Sequence, residues 1–196
     1  MKWQQIDGWW GASNANVYKK AINQIPDGGT FIEIGCWLGR SSCCAAELIK
    51  KSKKNIKLFC IDHWKGSVDD SPANKSYIPK NAYELFLYNT KEHDDILFPI
   101  KKSSVKASKK FDDLSIDYVF IDASHDYKNV IKDINAWLPK TKKIGGHDWS
   151  SDFPGVIRAV KETQKKYNLN LKIINNIWEL SRIEPSQTSK KIIKLI

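Results

Sequence analysis

Asp122-Ala123-Ser124-His125 spaces a carboxylate and an imidazole three residues apart, so a turn of helix there would aim both into one pocket. The imidazole suits proton transfer near neutral pH, and the carboxylate suits either a metal ion or the task of orienting the imidazole. The alternative is that Asp122 caps the next helix and His125 lies on its surface. His147-Asp148, after Gly145-Gly146, would complete a metal site with Asp122 or form only a turn. Asp62-His63 closes another apolar run, where a carboxylate can accept both hydroxyls of a ribose or cap a loop. Gly35 and Gly39 permit a sharp turn and close approach of backbone to a ligand.

These residues need a scaffold that gathers them. Thr30 to Gly35, Ile56 to Asp62, Ile96 to Lys101, Ile116 to Asp122 and Lys142 to Gly146 read as strands. Helical patterns alternate with them at about 17–25, 39–51, 81–93, 103–111, 128–138 and 156–167. Leu169 to Ile174 and Ile177 to Ile183 read as a final hairpin turning at Asn175-Asn176. The expectation is an α/β, Rossmann-like, doubly wound, mostly parallel seven-stranded sheet with a C-terminal antiparallel hairpin. Three of the four histidines then fall within three residues of a strand's carboxyl end, where such sheets bind ligands, with Ser103-Ser104 beside them. An acid, Glu33, precedes the first glycine and no phosphate-gripping Lys-Ser/Thr pair follows the second, which points to a ligand with ribose and amine but no polyphosphate.

At 196 residues and 41% hydrophobic, the chain suits one globular domain: a helical cap over 1–28, the sheet domain over 29–183 and a tail over 184–196. Trp3, Trp9 and Trp10 are expected to form a hydrophobic cover for the sheet edge, a flap over the ligand being the alternative. Residues 63–80 read as a long loop. No apolar run approaches 18 residues and no signal-peptide core opens the chain, so a soluble cytoplasmic protein without membrane contact is expected. The four cysteines show no Cys-x-x-Cys spacing and read as buried reduced thiols rather than a zinc site. A net charge of +10 invites nucleic acid, yet only Arg40, Arg158 and Arg182 are arginines among 32 basic residues. Scattered lysines read as a solvated surface, so nucleic acid is not the expected partner.

Phe31-Ile32-Glu33-Ile34-Gly35 with Gly39-Arg40-Ser41, Ile61 through Ser67, Ile121 through Tyr127, and Gly145 through Trp149 with Phe153-Pro154-Gly155-Val156 form an ordered set. Taken together, the chain resembles class I S-adenosylmethionine-dependent methyltransferases, and within them the macrocin-type branch of sugar and small-molecule O-methyltransferases. That resemblance implies S-adenosyl-L-methionine as cofactor. Glu33 would then lie near its amino group or order the glycine loop, Gly35, Trp37 and Gly39 would line it, and Ser41 would contact its carboxylate. Asp62 would take the ribose, His63 or Trp64 would flank the adenine, and Ser103 or Ser104 would meet the adenine edge. The resemblance also implies Asp122, His147 and Asp148 as ligands of Mg²⁺ or another divalent metal, with His125 as general base and Asp122 beside it. One departure stands out, because His147 offers nitrogen where magnesium prefers oxygen, so it either points elsewhere or serves another metal.

The resulting expectation is methyl transfer to a hydroxyl of a small, sugar-like or polyol acceptor. Its rivals are a nucleic-acid-directed methyltransferase and a non-catalytic S-adenosylmethionine-binding protein. A nicotinamide-dependent oxidoreductase is disfavoured by the missing GxGxxG turn. The acceptor and the oligomeric state are not readable, a homodimer being one option.

Overall fold

The computed structural model describes residues 2–66 and 79–183. Most of the expected 63–80 loop, and the tail from 184 onward, lie outside the described residues.

The strands alternate apolar side chains between two faces, and this builds two cores. β1 (Thr30–Ile34) sends Phe31 to one and Ile32 and Ile34 to the other, while β4 (Tyr118–Ile121) splits Tyr118 and Phe120 from Val119 and Ile121. Such two-sided burial requires helices on both faces. α1 (Ala12–Gln24), α2 (Arg40–Ser52) and α3 (Ala82–Thr90) cover the first. α4 (Ser104–Ser108), α5 (Tyr127–Trp137) and α6 (Pro154–Tyr167) cover the second.

With β2 (Lys57–Asp62), β3 (Leu97–Lys101), β5 (Lys143–Gly146), β6 (Asn170–Ile174) and β7 (Ile177–Ser181), the seven strands run in the order β3-β2-β1-β4-β5-β7-β6. The first five are parallel; β7 pairs antiparallel with both β5 and β6. This is the expected sheet, with Asn175 in the left-handed region (φ 57°) at the hairpin turn. The order reverses direction between β1 and β4, and that switch point opens a crevice beyond their carboxyl ends.

Two expectations need correction. Trp10 does not cover a sheet edge: it packs on Tyr18 of α1 and on Phe120 of β4, the middle strand of the seven. In addition, residues 122–126 are a loop and not a helical turn, since Asp126, not Asp122, caps α5 by accepting from the Asn129 amide. All four cysteines are buried free thiols. No helix among the described residues is long and apolar enough to cross a membrane.

Candidate active site

Beyond the strand ends lies a cavity of about 730 Å³, a size suited to a cofactor with a small acceptor. Gly35, Trp37, Ser41, Asp62, His63, Trp64, Ser103, Ser104, Asp122, His125, His147 and Asp148 all line it, so sequence spacing located most of its wall. Two expected residues are missing from that wall. Gly39, the residue before α2, has φ 92°, and a Cβ there would meet Thr90 and Phe86, so this glycine serves the packing of α3. Glu33 is fully buried beneath the turn, accepting hydrogen bonds from the Tyr18 hydroxyl (2.8 Å) and from the Ser42 hydroxyl. Burial raises its pKa, while its hydroxyl and thiol partners pull the other way. Its carboxylate is thus spent on Tyr18 and Ser42 and stays off the cavity wall.

Asp62 braces the cavity wall at the ends of β1 and β2. Its Oδ2 accepts from the amides of Cys36 (2.9 Å) and Trp37 (3.1 Å), and its Oδ1 from the amide of Trp64 (2.7 Å). A carboxylate offers about four acceptor positions, so three are filled by backbone and about one remains. Holding both ribose hydroxyls would cost one of these loop bonds. Trp37, at φ 48°, is kept in the left-handed region by the turn, and the Trp64 indole donates to its carbonyl (2.8 Å).

At the other end, three ionisable side chains converge. Asp122, His125 and Asp148 place one ligand atom each within 4.8 Å of one another. His125 Nε2 lies 2.9 Å from Asp148 Oδ2, and its ring packs on Phe153 at 4.3 Å between centroids. His147 sits beside this group but outside it. Its Nδ1 lies 2.9 Å from Asp148 Oδ1, and its Nε2 meets the side-chain amides of Asn14 (3.0 Å) and Asn176 (2.8 Å). The group whose ligand atoms converge therefore contains His125 with Asp122 and Asp148, while both His147 nitrogens are turned to Asp148 Oδ1 and the two amides.

The charges push apart. Burial, reinforced by Asp148, lifts Asp122 to about 7 against the pull of both histidines. Burial would raise Asp148 as well, but hydrogen bonds from His125 and His147 reverse it and hold it well below the usual carboxylate range. His147 is disfavoured as a cation by burial, yet the Asp148 bond and the nearby carboxylates raise it; the two amides at Nε2 oppose that charge. The two carboxylates are thus pushed in opposite directions, Asp148 towards the ionised form and Asp122 towards the protonated one.

Several cavity residues were not anticipated. Arg40 at the start of α2 donates to the carbonyls of Trp10 (Nε, 2.8 Å) and Ile6 (Nη1, 2.9 Å), strapping the segment that carries Trp9 and Trp10 onto the rim. Asp133 also faces the cavity, pushed up to about 6 by burial and opposed by its Ser104 hydrogen bond. A signal for Asp133 exists in the sequence: it interrupts the apolar face Val130, Ile134, Trp137 of α5. Asn14 does the same on α1, sharing a stripe with Val17, Tyr18 and Ala21.

A parallel sheet with one antiparallel strand inserted next to its edge, a glycine turn at the switch point and an acid ending β2 defines the S-adenosylmethionine-dependent methyltransferase class. Residues 32–147 match the family described as Methyltransferase domain, and the chain belongs to that family. Among solved structures, it resembles the O-methyltransferase NovP, with 16% identity, a TM-score of 0.65, and coverage of 89% of this chain and 81% of that one. A precorrin-6y C5,15-methyltransferase from Geobacter metallireducens gives 12% identity, a TM-score of 0.68 and coverage of 93% and 97%. The O-methyltransferase from Bacillus cereus in complex with SAH gives 11%, a TM-score of 0.59 and coverage of 89% and 83%. At these identities the likeness is one of fold. The uncharacterized protein y4gI of Sinorhizobium fredii is 21% identical over 110 residues, 56% of this chain but 12% of its own length.

Proposed function

We propose that this chain transfers the methyl group of S-adenosylmethionine to a hydroxyl of a small, sugar-like or polyol acceptor, with His125 as the base. The observation that carries this reading is the His125–Asp148 pair, 2.9 Å apart and on the wall of the cavity that the Gly35 turn enters. Residues 29–183 act as the transferase domain, and 1–28 as a cap that brings Trp10 and Asn14 to it.

The cofactor supplies an activated methyl on a sulfonium, so the protein must align the acceptor oxygen and remove its proton. Asp148 Oδ2, 2.9 Å from His125 Nε2, holds the imidazole at the cavity wall, where the ring is to take up that proton. Asp148, ionised through its two imidazole partners, then stabilises the imidazolium. On the cofactor side, the Asp62-braced turn and Ser41 at the N-terminal end of α2 face the amino-acid portion, and Asp62 has room for one ribose hydroxyl. His63, Trp64, Ser103 and Ser104 enclose the adenine end.

Asp122, His125 and Asp148 also fit a divalent ion, two oxygen donors and one nitrogen suiting Mn²⁺ or another transition metal better than Mg²⁺. Such an ion would lower the acceptor's pKa directly, and His125 would then act as a ligand instead of a base.

The test is His125→Ala. S-adenosylmethionine affinity by calorimetry should stay within about threefold, while S-adenosylhomocysteine release over a panel of glycosides and polyols should fall at least about 100-fold. A fully active variant would overturn the base assignment. Loss of wild-type turnover in EDTA, restored by Mn²⁺, would select the metal-assisted form.

A further inference from the structure

We propose that His147 is a positioning residue: Asn14 and Asn176 fix its tautomer, and that tautomer fixes which oxygen of Asp148 faces His125. The inference deepens the reading of His125 and Asp148 as the reacting pair, and rests on it for its catalytic meaning.

The argument begins at Nε2. Asn14 Nδ2 lies 3.0 Å from it and Asn176 Nδ2 lies 2.8 Å from it. Amide nitrogens only donate, so Nε2 must accept and the ring proton sits on Nδ1. From Nδ1 the acceptor within reach is Asp148 Oδ1 at 2.9 Å, the nearest Asp122 oxygen being 3.7 Å away. Oδ1 is thereby committed, and Asp148 meets His125 through Oδ2 at 2.9 Å. The other tautomer would set a lone pair against Oδ1 and an N–H against two N–H groups, losing the Nδ1 bond and the shared bond at Nε2 together.

The ring has little freedom to escape this choice. His147 is 9% exposed, its amide donates to the Ile121 carbonyl (3.0 Å), and its own carbonyl accepts from the Trp178 indole (3.1 Å). Asp148, by contrast, stands at φ 63°, a region a non-glycine residue seldom adopts, so side-chain bonds and not backbone preference hold its carboxylate. Both amide donors lie outside residues 32–147, the stretch shared with the family. The flanks of the chain, α1 and the β6–β7 turn, therefore set the geometry of a pair of which the shared stretch supplies His125, with Asp148 one residue beyond it.

The experiment is long-range ¹H–¹⁵N spectroscopy of the full chain labelled with ¹⁵N-histidine. Wild type should show His147 protonated at Nδ1 and bare at Nε2, and His125 protonated at Nε2. Asn176→Asp, which sets a carboxylate in place of a donor, should add a proton at Nε2 while Nδ1 keeps its own, and shift the His125 Nε2 resonance through the shared Asp148, while S-adenosylmethionine affinity stays within about threefold. An Nε2-protonated, Nδ1-bare His147 in wild type overturns the proposal without reference to any variant. So does an Asn176→Asp protein, folded by circular dichroism, in which the His125 resonances are unmoved. Activity of His125→Ala bears on the base assignment alone, so failure of that reading is seen separately from failure of this one.

Discussion

Gly35 and Asp122 are in backbone contact: a Cβ added to Gly35 would lie 2.0 Å from the Asp122 carbonyl oxygen. The turn that ends β1 and the turn that ends β4 are thus pressed together, and the Gly35 turn shares a wall of the cavity with Asp122 and His125.

Gly35→Ala should accordingly do more than strain a loop. The position has φ 83°, and the clash is with backbone that cannot swing aside. We expect a loss of about 2–4 kcal/mol in stability, read from urea unfolding, together with loss of measurable S-adenosylmethionine binding. Retained affinity would separate the turn from the cofactor site.

Asp62→Asn leaves one acceptor oxygen where three amides now converge on two. The Cys36–Trp37 turn should loosen. S-adenosylmethionine affinity is expected to weaken roughly 10- to 100-fold by calorimetry, equivalent to about 1.4–2.7 kcal/mol. An unchanged affinity would show that the carboxylate only shapes the loop at the Trp64 side.

Glu33 gives a pH-dependent prediction. Its folded pKa is raised by burial above the ordinary value of 4.5, so above that pH the native state binds more protons than the unfolded chain. Its contribution is fully present below pH about 4.5 and is lost as pH rises through the folded value. The stability difference between Glu33→Gln and wild type should therefore move in favour of the variant as pH rises above about 4.5. A pH-independent difference in urea midpoints would contradict the assignment.

Arg40→Lys keeps the charge but not the fork that reaches two carbonyls, those of Ile6 and Trp10. Residues 3–10 should exchange amide hydrogens faster, and stability should fall by about 1–3 kcal/mol. Protection equal to wild type would mean that Trp10 packing alone holds the segment.

Much of this architecture is legible in the residues. Ile116 to Asp122 and Thr30 to Gly35 read as strands because they are apolar and β-branched over lengths too short for helices, and the observed strands agree within about two residues. Asp122, His125 and Asp148 are found for the same reason, since strand ends are where chemistry collects. Glu33 misleads because an acid before a glycine turn looks the same whether it faces a ligand or is spent on Tyr18 and Ser42. His147 misleads because what its ring does depends on Asn14, 133 positions earlier. Strand and helix periodicities are local; these two assignments required tertiary partners.

That separation has a consequence for how the protein is made. The imidazole at 147 takes hydrogen bonds from a residue near the start of the chain and from one in the last described turn. During synthesis, the central strands can pair while Asn176 is still inside the ribosome. The donor set around His147 is among the last parts to be assembled, so an emerging or truncated chain can hold most of its sheet before it holds this hydrogen-bonded cluster.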